Sequence, residues 1–118
     1  MIILLPYTME VEVPDKFIQQ VNSLLDEHIS QAYYRISDLA RDLKVSRVHL
    51  YRKVKAITGK SCSRYILDRR LERAHKLLKQ TNHTVTEIAY EVGFNKLSYF
   101  ARAFKARYHV NPSKMNRT

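Results

Sequence analysis

The sequence predicts an all-α fold of about seven helices, in which two helix-turn-helix subdomains are joined by one long connecting helix. Three observations support this class. Apolar residues recur at helical spacing along most of the 118 residues. A pattern of short helix, tight turn and second helix occurs twice, about 50 residues apart. Only 2 glycines and 3 prolines are present, which leaves little sequence for long irregular loops.

The first 14 residues are expected to be a lead or linker segment in front of a double helix-turn-helix domain over residues 15–118. The weak alternation around Val11 also fits an edge strand or the remainder of an upstream domain. Asp15 is predicted to cap a helix that runs to about Ser30, because its carboxylate can accept bonds from free backbone N–H groups. The apolar stripe of that helix comprises Phe17, Ile18, Val21, Leu24, Leu25 and Ile29.

The first helix-turn-helix unit is expected within residues 15–60. A short helix over 37–43 is followed by Lys44, which stands where the tight turn requires left-handed backbone. Ser46 is predicted to cap the second helix of the unit, which should end near Gly59.

The connecting helix is expected over about 61–81, beginning at Ser61 or Ser63 and ending near Gln80. The apolar residues expected to contact both units are Ile66, Leu67, Leu71, Ala74, Leu77 and Leu78. The bases of this helix are Arg69, Arg70, Arg73 and Lys76. Asp68 and Glu72 lie at helical spacing from these bases, so we expect ion pairs within the helix.

The second unit is expected over about 82–115. Thr84 and Glu87 have the spacing of a capping box, Gly93 stands at the left-handed stop, and Asn95 is predicted to cap the second helix. The two apolar stripes comprise Ile88, Ala89 and Val92, and then Leu97, Phe100, Ala103 and Phe104. Tyr90 and Tyr108 are expected to join the core.

The net charge of +10 is concentrated in two segments. Residues 44–60 carry six bases and no acid, and residues 95–118 carry six bases and no acid. Residues 1–43, in contrast, carry three bases and seven acids. Because both basic segments include the second helix of a repeated unit, the pattern indicates two contacts with one polyanion.

Three segments resemble the DNA-binding domain of the AraC-type bacterial transcription regulators. They read SRVHLYRKVKAITGKS (46–61), YILDRRLERAHKLL (65–78) and VTEIAYEVGFNKLSYFARAFKARYHVNPS (85–113). The resemblance implies sequence-specific binding of double-stranded DNA at promoters, with RNA polymerase as a further partner and a sensing or receiver domain in a larger regulator. Cys62, Leu67 and His109 depart from the family pattern, which usually has proline, a basic residue and glycine at these places.

The exposed faces of the two second helices, together with the resemblance, predict the contacts with DNA. The predicted base-facing residues are Arg47, Val48, Tyr51, Arg52, Lys96, Leu97, Ser98, Tyr99, Ala101 and Arg102. The predicted phosphate contacts are Lys53, Lys55, Lys105 and Arg107, and Lys96 also fits this group. A guanidinium can donate two bonds to guanine O6 and N7, so Arg52 and Arg102 are the main predicted base readers. A phosphate contact or an ion pair is the alternative for both, and a place in the core is the alternative for Leu97 and Ala101.

Other functions fit the sequence less well. A non-specific nucleic-acid-binding protein would share the charge but would not need two capped, repeated helices. A module that docks on an acidic protein partner is a second alternative, and binding at a membrane surface is a third. The sequence has no phosphate-binding glycine loop, no nucleophile elbow and no metal-ligand spacing. We therefore expect no catalysis, no metal, no cofactor and no membrane partner, and a cytoplasmic location.

Overall fold

The computed structural model describes residues 15–115, and within them helices alternate with short turns. The elements are α1 (Lys16–Glu27), α2 (Ile36–Leu43), α3 (Arg47–Thr58), α4 (Cys62–Gln80), α5 (Val85–Glu91), α6 (Leu97–Tyr108) and a 3₁₀ turn (Pro112–Lys114). The all-α prediction is confirmed, and these six α-helices are close to the predicted seven. The lead segment and the alternative edge strand predicted before residue 15 lie outside the described residues.

Four helices begin at the caps that the sequence predicts. The Asp15 carboxylate accepts from a backbone N–H two residues further on, at 2.7 Å. The hydroxyls of Ser46 and Ser61 accept from N–H groups three residues further on, at 3.1 and 3.2 Å. Thr84 and Glu87 form the reciprocal capping box, with bonds of 3.0 and 2.8 Å. Each such cap contributes about 0.5–2 kcal/mol to helix stability.

The predicted cap at Asn95 is wrong. Helix α6 begins at Leu97, and its N-cap is Lys96, whose side chain makes no capping bond. The second helix starts 12 residues after the first in the second unit, and 11 residues after the first in the first unit. Lys96 therefore takes the place that Ser46 holds in the first unit, and Asn95 lies one residue too early to cap.

Helix α1 ends at Glu27, three residues before the predicted end at Ser30. The chain turns there because the His28 ring stacks on Tyr34, with centroids 4.1 Å apart. The same ring also lies within hydrogen-bond distance of Gln31 Oε1, at 3.0 Å. These two contacts hold a compact turn between α1 and α2 in place of a further helical turn.

Helix α4 is shared by two cores. The buried residues of the first core are Ile18, Val21, Leu25, Tyr34, Leu39, Ala40, Leu50, Val54 and Cys62. The buried residues of the second are Leu71, Ala74, Leu78, Ile88, Ala89, Val92, Phe94, Phe100 and Phe104. Ile66 packs on the first core and Leu67 on the second, so the prediction that the connecting helix contacts both units is confirmed.

Four of the described residues adopt left-handed backbone, one in the turn within each helix-turn-helix unit and one at the end of each second helix. Lys44 and Gly93 occupy the two turns, with φ of 61° and 92°. Gly59 and His109 end α3 and α6, with φ of 77° and 63°. The predicted left-handed conformations of Lys44 and Gly93 are confirmed. These turns direct α3 and α6 away from the helices that precede them.

Candidate nucleic-acid interface

Helix α3 buries one face and exposes the other. Leu50 and Val54 are fully buried in the first core, and Ile57 is half-buried against it. The opposite face is exposed and carries Arg47, Val48, Tyr51, Arg52 and Lys55. This division follows the predicted 3.6-residue period, so the side chains predicted to face DNA all project into solvent.

Helix α6 has the same division, with one difference from the sequence prediction. Phe100 and Phe104 are fully buried, whereas Ser98, Tyr99, Arg102 and Lys105 are exposed. Leu97, which was predicted both on the apolar stripe and among the base-facing residues, is 38% exposed at the first position of the helix. Ala101 is half-buried.

The two helices are equivalent in length and in the placement of one arginine. Each has 12 residues, and α6 begins 50 residues after α3. Arg52 is the sixth residue of α3, and Arg102 is the sixth residue of α6. Two guanidinium groups therefore project from corresponding points of two similar units, which is the arrangement that reading two successive groove segments requires.

The bases on these two faces are unpaired within the described part of the chain. Neither Arg52 nor Arg102 makes a hydrogen bond or ion pair there, and the same holds for the side chains of Arg47, Lys96 and Lys105. Unpaired cations that face solvent in acid-free segments produce a positive surface. Such a surface attracts a polyanion and leaves the donors available to it.

Three of the predicted phosphate ligands have internal contacts. The Lys53 ammonium lies 5.4 Å from the centre of the Phe17 ring, which is a cation–π distance. Lys55 Nζ donates to the carbonyl of Gly59 at 3.1 Å and remains exposed. Arg107 departs furthest from its predicted role, because its guanidinium turns toward α4 and pairs with two acids there, as described below.

Intrahelical pairing of the α4 bases was predicted, and it is wrong for Arg69 and Arg70. Arg69 Nη2 donates to Asp26 of α1 at 2.8 Å. Arg70 is buried and donates to backbone carbonyls, including that of Val92 at 2.8 Å. Arg64, which the prediction omitted, does pair within the helix, with Asp68 at 3.3 Å. The partners of Arg69 and Arg70 lie 22 to 43 residues away in the sequence, so the local spacing of charged residues could not predict these contacts.

Exposed apolar side chains are concentrated on the same two faces. Six large apolar residues are exposed in the described part of the chain, and four of them belong to α3 or α6. These four are Val48 at 58%, Tyr51 at 44%, Leu97 at 38% and Tyr99 at 44%. The major groove presents thymine methyl groups beside its hydrogen-bonding atoms, so apolar contacts can supplement the arginine donors. Tyr90, in contrast, was expected in the core and is 53% exposed on α5.

A shallow groove of about 720 Å³ runs beside α3. Its lining residues are Val48, Tyr51, Arg52, Lys55, Ala56, Ser61, Cys62 and Ser63. It joins the exposed face of α3 to the first turn of α4. Burial raises the pKa of the Cys62 thiol to about 11, so this side chain is a neutral, unreactive part of the groove.

Two negative findings concern other kinds of site. Within residues 15–115, no group of three or more His, Cys, Asp or Glu side chains is arranged to hold a metal ion. None of the helices described above is both long enough and apolar enough to cross a membrane.

Comparison with known proteins gives a family match and several relatives. Residues 39–118 match the model of a helix-turn-helix domain family. The transcriptional activator RhrA of Rhizobium meliloti (strain 1021) is 32% identical over 108 residues, which cover 90% of this chain and 34% of RhrA. The chain thus spans about a third of the length of that relative.

Solved structures share the fold. The C-terminal domain of AraT, a response regulator from Geobacillus stearothermophilus, matches with a TM-score of 0.77 and 31% identity, covering 85% of this chain and 83% of that one. The DNA-binding domain of the global transcriptional factor AdpA, solved with a target DNA, matches with a TM-score of 0.75, covering 80% of this chain and 85% of that one. At 22% identity the second likeness concerns the fold alone.

Proposed function

The chain belongs to the AraC-type family of helix-turn-helix transcription regulators, and from this premise we propose that it binds double-stranded DNA sequence-specifically and regulates transcription at promoters. The observation that supports this best is the pair of equivalent exposed faces on α3 and α6. Each bears at its sixth residue an arginine that is unpaired among residues 15–115, and each lies in an acid-free segment. A polyanion with a repeating groove fits two such faces.

Within this proposal each face has two kinds of contact. Arg52 and Arg102 read guanine, and the apolar neighbours Val48 and Leu97 contact thymine methyl groups. The remaining base-facing positions, Arg47, Tyr51, Lys96, Ser98, Tyr99 and Ala101, line the same groove segments. Lys53, Lys55 and Lys105 bind phosphates, which fix the register without specifying sequence. Arg107 is left out of this set because two acids already engage its guanidinium.

The domain organisation follows from the same proposal. Residues 15–60 and 82–115 each provide one DNA-binding unit, and residues 61–81 connect them. Because the chain spans about a third of RhrA and resembles the C-terminal domain of AraT, we place it as the output domain of a larger regulator. RNA polymerase is a further partner in this scheme, and the cytoplasm is where a bacterial regulator meets its promoter.

The test begins with selection of a preferred duplex from a random pool. Binding to that duplex and to random DNA is then measured between 50 and 200 mM salt. We expect the preferred duplex to bind at least about 10³-fold more tightly than random DNA. With 6–10 phosphates contacted, affinity should fall by about 10³–10⁵ across this salt range.

Two outcomes would contradict the proposal in different ways. Equal affinity for preferred and random duplex would favour the non-specific alternative. Absence of any binding at 50 mM salt would favour a module that docks on an acidic protein. Arg73→Ala serves as the matched control, because Arg73 is an exposed base on α4, beside a hollow that it shares with Asp26 and Lys76. Its loss should change the affinity far less than the loss of Arg102.

A further inference from the structure

One buried carboxylate, Asp68, lies where the ends of α3 and α6 approach α4. Asp68 is only 3% exposed. Its Oδ2 accepts a hydrogen bond from Lys60 Nζ at 2.7 Å, and Lys60 is two residues beyond the last residue of α3. Its Oδ1 lies 3.1 Å from Nη1 of Arg107, the next-to-last residue of α6. A single side chain therefore joins the C-terminal ends of both predicted recognition helices.

The charges around Asp68 keep it ionised. Burial opposes ionisation, but the bond from Lys60 and the neighbouring Arg107 charge outweigh it and hold the pKa of Asp68 below its ordinary value. Arg64 of the same helix adds a third cation at 3.3 Å. Arg107 also donates to Glu72 at 2.7 Å, which fixes the orientation of its guanidinium. The buried carboxylate thus holds three cations that come from α4 and from the ends of α3 and α6.

A second buried side chain, Arg70, joins the units on the other side of α4. Its guanidinium donates to the carbonyl of Val92 at 2.8 Å, at the turn before α6. It also donates to the carbonyls of Ile29 and Gln31, in the turn after α1. A Cβ added at Gly93 would lie 1.6 Å from Arg70 Nη1 and 2.4 Å from the Ile29 carbonyl oxygen. The turn of the second unit is therefore packed directly against the first unit, at the carbonyl of Ile29.

We propose that Asp68 and Arg70 are positioning residues that hold α3 and α6 at one separation and angle, and so set the spacing between the two half-sites that the domain accepts. This inference rests on the proposed function. Each added base pair moves a half-site by about 3.4 Å and turns it by about 34°. If one unit followed that movement, Lys60 or Arg107 would leave its ion-pair distance of about 4 Å or less from Asp68. An added base pair must therefore break either the ion pairs of Asp68 or the contacts that one unit makes with its bases.

The first experiment measures affinity for the selected duplex with one or two base pairs inserted between the half-sites. In the unchanged protein, each insertion should weaken binding by roughly 5- to 150-fold, the equivalent of one mismatched pair. In Asp68→Asn this penalty should be several-fold smaller, because a neutral amide forms weaker bonds to the two cations. Discrimination against base changes inside each half-site should stay unchanged. A general loss of stability would not produce this separation of effects.

Two further variants keep the test decisive. Lys60→Gln removes the link to α3 from a side chain that is 42% exposed, so it serves if Asp68→Asn does not fold. Arg64→Gln is the matched control, because it removes a cation from the same carboxylate without crossing between units. The control should retain the full insertion penalty. If folded Asp68→Asn and Lys60→Gln also retained it, the positioning role would be overturned.

A second experiment needs no DNA. Spin labels on Ala56→Cys and Ala106→Cys would occupy exposed, equivalent positions of α3 and α6, and the buried Cys62 thiol does not compete for the label. Dipolar spectroscopy should give one narrow distance distribution in the doubly labelled parent and a broader one after Asp68→Asn. A broader distribution without specific DNA binding would support the positioning role while the proposed function fails. An unchanged narrow distribution would overturn the positioning role even if DNA binding is specific.

Discussion

The two helix-turn-helix units place glycine at opposite ends of their second helices. Both units need left-handed backbone at the turn before that helix and again at its end. In the first unit a lysine, Lys44, occupies the turn and a glycine, Gly59, ends the helix. In the second unit the glycine, Gly93, occupies the turn and a histidine, His109, ends the helix. The same backbone path is thus built with opposite choices of residue.

Comparing the four left-handed positions shows at which of them glycine is required and at which it is only favourable. A left-handed conformation costs an ordinary residue roughly 1–2 kcal/mol, which a stable fold can tolerate. A Cβ at Gly59 would meet no atom within 4 Å, so only backbone strain applies there. A Cβ at Gly93 would overlap Arg70 and the Ile29 carbonyl. Only the second turn, therefore, needs glycine for space, because the first unit packs against it.

The largest expected effect is that of Gly93→Ala on stability. The new methyl group must displace Arg70 from its carbonyl partners in addition to straining the backbone. We expect a loss of roughly 3–5 kcal/mol in the free energy of unfolding, from strain plus buried carbonyls left without donors. Urea unfolding followed by circular dichroism measures this change. If the free energy of unfolding fell no more than in Gly59→Ala, Arg70 would be able to move away freely. Gly93 would then need glycine no more than Gly59 does.

The next effect compares the two units as DNA readers. Arg52→Ala should relax specificity at one end of the selected site, and Arg102→Ala at the other. Each should cost roughly 1–3 kcal/mol on the preferred duplex and much less on random DNA. Binding curves on the selected site, on sites altered at either end and on random duplex give the comparison. If Arg102→Ala weakened preferred and random DNA alike, α6 would be an anchor and α3 alone a reader.

Lys55→Ala is the matched control for this comparison. It removes one positive charge from the exposed face of α3, and the hydrogen bond that its side chain makes in the described chain is to the carbonyl of Gly59 at the end of the same helix. As a phosphate contact it should weaken binding to every duplex by a similar factor. Lys55→Ala should lower the affinity for every duplex, whereas Arg52→Ala should lower it only where one end of the site is intact. Together these results would distinguish a phosphate contact from a base contact.

Much of the fold could be predicted because its signals are local. A cap and its N–H lie two or three residues apart, and an apolar stripe repeats every 3.6 residues, so Thr84 and α4 were placed correctly. The misplaced cap at Asn95 arose because the repeat shows that one residue is inserted but not where. The early end of α1 depends on the stacking of His28 on Tyr34, which helical periodicity does not indicate.

The candidate site was predicted less completely, because some of its side chains are defined by distant partners. Exposure of Arg52 and Arg102 follows from helix phase alone. Arg107 has the same residue type and a nearby place, yet its partner Glu72 is 35 residues away. The links of Asp68 to both units became visible only when α3, α4 and α6 were packed together. Periodicity identifies a face, but only tertiary packing shows which cations on or near that face are already neutralised.

A smaller effect is expected at the end of the first recognition helix. Gly59→Ala introduces strain at φ 77° without a steric clash. Because alanine also restricts the unfolded chain, which stabilises by about 0.4–1 kcal/mol, the net loss should be about 1.6 kcal/mol or less. Urea unfolding at several protein concentrations gives this value. A loss comparable to that of Gly93→Ala would indicate a crowded site at Gly59 and would contradict the open space around it.

The smallest effects concern the two non-glycine left-handed residues. Lys44→Gly and His109→Gly each relieve strain of roughly 1–2 kcal/mol. Each also adds freedom to the unfolded chain, which costs about 0.4–1 kcal/mol, so the net gain should be between about 0 and 1.6 kcal/mol. Both side chains are exposed, so little packing is lost when they are removed. Thermal unfolding of the two variants and of their combination should show gains that add, since the two sites lie in different helix-turn-helix units. A clear loss in Lys44→Gly alone would mean that its side chain stabilises the first turn, and the two units would then differ in more than the position of their glycines.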